Sequence, residues 1–184
     1  MRVVCCTLLG ALILAWAFPV VAQAKEESAR FRRLRETMVR DQIQDPPGFR
    51  TPVRDGRVLR VLRDVPRHRF VRPGDRGRAY GDHPLPIGYG QTISQPYIVA
   101  RMTEMLQVKP GNRVLEVGTG SGYQAAVLSR LVAEVYTVEV IQDLADAAAE
   151  RLARLGYDNV RVRVADGYYG WEQQAPFDRI IVTC

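Results

Sequence analysis

A chain of 184 residues has room for one domain with a sizeable core. Its formal net charge of +6 is carried almost wholly by arginine, since Lys25 and Lys109 are the only lysines. The arginines are interspersed with Asp and Glu rather than massed on one predicted face, so no nucleic-acid partner is expected; the densest group, Arg30, Arg32, Arg33 and Arg35, reads as a solvated helix face.

The chain opens on Arg2, an uncharged apolar run from Val3 to Phe18, a break at Pro19, and small residues at Ala22-Gln23-Ala24. That order is the pattern of a secretory signal peptide cleaved before Lys25. The run falls short of the about 20 apolar residues of a spanning helix. The expectation is a periplasmic or secreted protein with no stable membrane insertion after cleavage. Cys5 and Cys6 leave with the leader, so Cys184 has no partner for an intramolecular disulfide. With only His68 and His83 beside it, no metal centre is expected either.

Residues Ser28 to Gln44 form an amphipathic pattern, with Phe31, Leu34 and Met38 at helical spacing, ended by Asp45-Pro46-Pro47-Gly48. Asp55 to Arg63 predicts a second helix burying Val58, Leu59 and Leu62. Tyr80 to Gln91, rich in Gly and Pro, reads as an irregular segment over a site. Pro96 to Leu106 is a helix with proline in its first turn, where the missing N–H costs nothing. Strands and helices then alternate: strand Arg113–Val117, helix Gly122–Leu131, strand Val135–Glu139, helix Gln142–Leu155, strand Val160–Val164 and strand Arg179–Thr183. Gly156 fits a C-terminal cap. The alternation predicts an α/β fold, an open and mostly parallel sheet with helices on both faces, preceded by an N-terminal helical segment. The expected organisation is a leader over 1–24, a helical segment covering substrate and cofactor over 25–110, and an incomplete cofactor-binding βαβ core over 111–184. The apolar Ile180-Ile181-Val182 would ordinarily be a central strand, so a C-terminally truncated chain is expected.

The stretch Val114-Leu-Glu-Val-Gly-Thr-Gly-Ser-Gly-Tyr123 carries the strongest chemical signal. An apolar strand runs into Gly118, Gly120 and Gly122, as where an open α/β sheet receives an adenosine-containing cofactor. The spacing is G-x-G-x-G, with Tyr123 where a dinucleotide fingerprint places its third glycine, and no lysine follows as in a phosphate-gripping loop. Glu139 ends the next strand, where a carboxylate can accept both ribose hydroxyls. Asp166-Gly167 follows the third strand; it could meet the adenine amino group or close a simple Asx turn. Glu116, near the same sheet edge, could organise the loop N–H groups or face a cationic ligand, and takes no proton-transfer role in a reaction. Ser94, just before Pro96, reads on local pattern as a helix N-cap.

The glycine loop resembles motif I of class I S-adenosylmethionine-dependent methyltransferases. Three blocks together, Leu85-Pro-Ile-Gly-Tyr-Gly-Gln-Thr-Ile-Ser-Gln-Pro-Tyr97, Val114 to Leu128, and Pro176-Phe-Asp-Arg-Ile-Ile-Val-Thr183, resemble the protein-L-isoaspartate O-methyltransferases, helped by Val65-Pro-Arg-His-Arg-Phe-Val71 and Gly156 to Val160. The resemblance implies a Rossmann-like methyltransferase sheet, S-adenosyl-L-methionine as cofactor, and methyl transfer to the α-carboxylate of L-isoaspartyl residues in damaged proteins by a monomer. It implies Ser94 as the active-site serine positioning the acceptor oxygen. It implies Gln91, Thr92 and Ile93 beside the cofactor, with Gly118, Gly120, Gly122, Glu139, Asp166 and Gly167 in its binding site. Two departures stand out: the family's C-terminal third is missing, and its members are typically cytoplasmic. The competing readings are a methyltransferase for a small molecule and an inactive remnant.

Overall fold

The computed structural model describes residues 28–184; the predicted leader lies outside them. Helix α1 spans residues 28–38 and winds on as a π-helical turn over Val39–Gln44, closed by the Asp45 N–H on the Arg40 carbonyl. A uniform helix was expected; the wider last turn leaves Met38, Val39 and Ile43 all fully buried. Helix α2 (Gly56–Asp64) starts at Asp55, whose side chain accepts the Arg57 N–H, and buries Val58, Leu59, Val61 and Leu62. No helix among the described residues is long and apolar enough to cross a membrane.

The segment read as irregular contains a hairpin instead, strands β1 (Leu85–Gly88) and β2 (Gln91–Ile93), paired antiparallel with Leu85 opposite Ile93. Its tight turn depends on Gly88, Tyr89 and Gly90, all at positive φ. The glycines that suggested irregularity are what close the hairpin. Helix α3 (Pro96–Met105) follows, and the remaining elements are β3 (Arg113–Val117), α4 (Tyr123–Ser129), β4 (Glu134–Glu139), α5 (Gln142–Arg154), β5 (Val160–Val164) and β6 (Arg179–Val182). Helix α4 stops two residues short of the predicted Leu131. Helix α5 ends in a Schellman motif: Gly156 at φ +74° donates to Ala153, and Tyr157 donates to Leu152.

The four strands form one parallel sheet in the order β5-β4-β3-β6. Val114 and Val135 point to one face and pack with α4, all of whose residues are buried. Helices α1 to α5 all contribute to that core, which runs from Phe31 to Ile181. Leu115, Tyr136 and Val138 point to the other face, where Ala165, Trp171 and Phe177 cover them. Helices were expected on both faces. Among the described residues the second face carries short 3-10 turns, Gly167–Tyr169 and Glu172–Gln174, and an aromatic layer: Tyr136 meets Trp171 edge-on with centroids 5.4 Å apart, and the Arg113 guanidinium lies 5.1 Å from the Tyr136 ring. Between β5 and β6 this segment is too rich in Gly, Tyr and Gln to carry an apolar helical stripe. On that face Ile180 and Val182 of β6 are exposed (57% and 56%).

Candidate functional site

The C-terminal ends of β3 and β4 open onto a cleft roofed by the β1–β2 hairpin. Its walls are Gln91, Thr92, Ile93 and Ser94 from the hairpin side, Glu116 with the loop from Gly118 to Ser121, and Glu139, Val140 and Ile141 after β4. Tyr123, Gln124, Thr183 and Cys184 complete it. Parallel strands aim their carboxyl ends at one edge, which is why three distant sequence motifs converge there.

The loop takes its shape from its glycines. Gly118, Gly120 and Gly122 all have positive φ, a region that L side chains enter at a cost. A Cβ on Gly118 would also lie 2.9 Å from the Cys184 Cβ, so the loop backbone and the segment after β6 approach too closely for any side chain. Below the loop, Thr119 and Thr137 share a hydroxyl hydrogen bond of 2.7 Å, the Thr183 hydroxyl donates to the Gly118 carbonyl at 2.7 Å, and Arg151 of α5 donates to the Ser121 carbonyl at 2.9 Å. The loop is thus held from β4, β6 and α5 at once.

Glu139 is 7% exposed and its two oxygens accept separate backbone N–H groups, Gly120 at 2.9 Å and Ile141 at 3.1 Å. A carboxylate has about four lone-pair positions, so two remain for further donors such as a pair of vicinal hydroxyls. Glu116 is fully buried, and neither of its oxygens has a partner among the described residues. Burial, with a smaller push from Glu139, raises its carboxyl to about 8, against a lowering contact from the Thr137 hydroxyl.

Ser94 does not cap α3. Gln95 occupies the cap position without a side-chain cap bond and instead donates to the carbonyl and carboxylate of Asp82, at 3.1 and 2.7 Å. Asp82 in turn pairs with Arg50. The Ser94 hydroxyl is left lining the cleft, half-exposed. Gln95 is a structural residue that sequence reasoning passed over; its place between Ser94 and Pro96 was the available clue.

Of the predicted site residues, the structure brings together Gln91, Thr92, Ile93, Ser94, Gly118, Gly120 and Glu139. Three stand apart from the cleft lining. Gly122 opens α4 against α5, where a Cβ would sit 3.1 Å from Leu152. Asp166 caps the 3-10 turn by accepting the Tyr168 N–H at 2.9 Å, and Gly167 lies so close under Val117 that a Cβ would fall 2.3 Å from a methyl carbon. The Asx-turn alternative for Asp166 is the geometry seen here. Sequence reasoning missed Thr119, Val140 and Ile141 as walls; the hydroxyl within the glycine run was legible, whereas Val140 and Ile141 contribute by position alone. No group of three His, Cys, Asp or Glu able to hold a metal is found among the described residues.

The arrangement suits a ligand with a vicinal diol and a cationic end. A carboxylate with free lone pairs stands beside the glycine loop, a second and unpartnered carboxyl lies within, and the cleft lining contains no Lys or Arg.

Comparison with known proteins gives the same site a lineage. The family model described as protein-L-isoaspartate(D-aspartate) O-methyltransferase matches residues 49–184. The chain is 63% identical over 129 residues to protein-L-isoaspartate O-methyltransferase 2 of Syntrophobacter fumaroxidans, covering 70% of this chain and 52% of that one. It is 53% identical over 160 residues to protein-L-isoaspartate O-methyltransferase 1 of Nitrosospira multiformis, covering 85% and 65%. The chain therefore spans about half to two thirds of the length of these curated relatives. Among solved structures, a protein-L-isoaspartate O-methyltransferase superposes with a TM-score of 0.64 at 34% identity, over 71% of this chain and 44% of that one. A Plasmodium falciparum structure described as a protein-L-isoaspartate O-methyltransferase in complex with S-adenosyl-L-homocysteine superposes at 0.65 with 26% identity, over 82% and 72%. The parallel sheet is thus of the Rossmann-like methyltransferase type. With its glycine loop, hairpin motif and β6 block all inside the matched region, the chain belongs to the protein-L-isoaspartate(D-aspartate) O-methyltransferase family.

Proposed function

We propose that the protein transfers a methyl group from S-adenosyl-L-methionine to the α-carboxylate of L-isoaspartyl residues in damaged proteins. The observation that carries this reading is the single cleft in which the Gln91–Ser94 segment faces both the glycine loop and Glu139. The cofactor supplies an electrophilic methyl group on a sulfonium. Glu139 accepts its ribose hydroxyls through the lone pairs left over from Gly120 and Ile141. Glu116 supplies a carboxyl toward the cationic end. Gln91, Thr92 and Ile93 cover the bound adenosyl group. The loop glycines bring backbone to it without a Cβ. Asp166, at the end of β5, addresses the adenine amino group after leaving its own capping bond, and Gly167 and Gly122 shape the backbone on either side of that region.

The acceptor carboxylate is already ionised at neutral pH, so no strong base is required. Rate comes from alignment of acceptor oxygen, methyl carbon and sulfur, and from exclusion of water. The Ser94 hydroxyl donates a hydrogen bond that fixes the acceptor oxygen, which is consistent with its release from helix capping. Methyl transfer to an isoaspartyl peptide, against a normal-aspartyl control, tests the reading. Ser94→Ala should lower the rate about tenfold to a thousandfold, as for other preorganised donors, with cofactor affinity within about threefold. Transfer to the normal-aspartyl peptide at the same rate, or an unchanged rate in Ser94→Ala, would remove the substrate assignment or the serine's role respectively.

We propose further that the chain is exported with cleavage before Lys25, supported by Arg2, the apolar run and Ala22-Gln23-Ala24. Mass spectrometry of the protein from its own host should find Lys25 first; an intact Met1 on a cytosolic protein would overturn it. A monomer without bound nucleic acid is the accompanying expectation, tested by sedimentation with absorbance at two wavelengths.

A further inference from the structure

Glu116 has an electrostatic problem that the fold alone leaves unsolved. Its carboxyl is fully buried on β3, paired in register with Thr137 of β4 and Ile181 of β6, and both oxygens lack a hydrogen-bond partner among the described residues. The Thr137 hydroxyl shares a hydrogen bond with Thr119, and its lowering contact on the Glu116 carboxyl is outweighed by burial. Ionising such a group in isolation costs several kcal/mol.

The other titratable groups around it do not help. Glu139, at the end of β4, lines the same cleft and is itself a carboxyl. Tyr123, on α4, is a buried phenol pushed far up by desolvation and so stays neutral. Cys184, after β6, contributes a thiol, and β2 presents only Gln91, Thr92 and Ile93. No Lys or Arg lines the cleft. Two carboxyls therefore share one cavity, and among the described residues no side-chain cation lines it.

We infer that Glu116 is a proton-linked counter-ion, holding its proton while the cleft is empty and surrendering it to solvent when a cationic ligand enters. In balanced form, the neutral acid and the cation become a carboxylate–cation pair, and one proton passes to the buffer. The inference rests on the cofactor reading above and adds a regulatory consequence: affinity for the sulfonium cofactor rises with pH until Glu116 ionises without help. The raised ionisation of this carboxyl, to about 8, sets the upper end of that window. The free ligand's own α-amino group, with an ordinary value near 7.7–8.0, stays mostly cationic below about pH 7.5.

Calorimetry of S-adenosyl-L-methionine binding to the full chain, in buffers of different ionisation enthalpy, reads the proton directly. At pH 6.5 the wild type should release about one proton per ligand, and affinity should rise about tenfold from pH 6 to 7. Glu116→Gln should bind with neither the proton release nor the slope. A flat wild-type profile from pH 6 to 7.5, or an equal slope in the variant, would overturn the inference while leaving the cofactor reading intact. Absence of binding at every pH would instead sink the cofactor reading itself. Carboxyl-carbon NMR of the ligand-free wild type is independent of whether the variant folds. A glutamate signal titrating near 8 that stays ionised when ligand is bound supports the linkage, and every glutamate titrating near its ordinary value excludes it.

Discussion

Glu139 would carry two duties under the proposed function. It would hold the ribose of a bound cofactor, and it already ties down the glycine loop and the Ile141 backbone through the Gly120 and Ile141 N–H groups. Glu139→Ala should therefore weaken S-adenosyl-L-methionine binding by more than the loss of a ribose contact alone, by about 2–4 kcal/mol, since charge-assisted bonds are worth about 1.5–3 kcal/mol and two half-buried donors that hold the loop are also orphaned. Titration calorimetry checks it; equal affinity in wild type and variant would remove the ribose assignment. Glu116 makes a separate prediction for the empty protein. Its carboxyl ionises near 8 in the folded chain against about 4.3 unfolded, so its stabilising protonated form is fully present below about pH 4.3 and lost as pH rises through 8. Glu116→Gln should then unfold at the same temperature as wild type near pH 3.5 and at a higher one near pH 8.5. Parallel melting curves at both pH values would show that the carboxyl ionises in the folded chain as it does in the unfolded one.

Among the elements, the seam between α1 and the Arg67–Arg69 turn depends on one imidazole. His68 stacks on Phe31 with centroids 4.0 Å apart and rings 9° from parallel, and its Nδ1 shares a 2.7 Å hydrogen bond with the Tyr80 hydroxyl. Burial, then the charges of Arg69, Arg35 and Arg76, lower its ionisation from 6.5 to about 4. A depressed value in the folded state means that the neutral ring's contribution is present above pH 6.5 and lost as pH falls toward 4. His68→Gln, which loses the stack, should melt below wild type at pH 7.5, and the gap should narrow by pH 5. A gap that is constant with pH would assign His68 to packing alone. The hairpin shows why irregular-looking sequence can be ordered: Gly88 and Gly90 break strand propensity on paper, yet their positive φ values are what the turn requires. Pattern rules that read glycine as disorder miss a turn whose flanking strands are only four and three residues long.

For the whole molecule, one core joins the N-terminal helices to the sheet, with Phe31, Met38 and Leu62 in the same cluster as Val114, Leu128 and Ile181. Cofactor binding in the cleft should therefore stabilise the chain as a unit rather than the sheet alone. At a hundredfold excess over its dissociation constant, S-adenosyl-L-methionine should add about 2.7 kcal/mol to unfolding, seen as one shifted transition by calorimetry. A second, unshifted transition would mean that the N-terminal helices unfold independently. No shift with S-adenosyl-L-methionine but a shift with NAD would reverse the cofactor assignment.

The order and type of the elements from Arg113 to Val182 were legible in the sequence because the buried strands β3 and β4, the apolar or alternating β5 and β6, and the crossover helices write runs and periods that need no long-range information. So was the cluster of Gly118, Gly120 and Glu139, fixed by strand ends that a parallel sheet must place on one edge. Tertiary structure alone decided which glycines touch the cleft. Gly118 and Gly120 line it, whereas Gly122 and Gly167 are required by close packing against Leu152 and Val117. It also decided that Ser94 faces the cleft, because Gln95 spends its amide on Asp82 rather than on capping. The same is true of Glu116: a one-dimensional pattern places it at a strand end but cannot tell that it is fully buried with both oxygens lacking a hydrogen-bond partner among the described residues. Burial and hydrogen-bond supply are sums over residues far apart in the chain, and only the folded arrangement performs that sum.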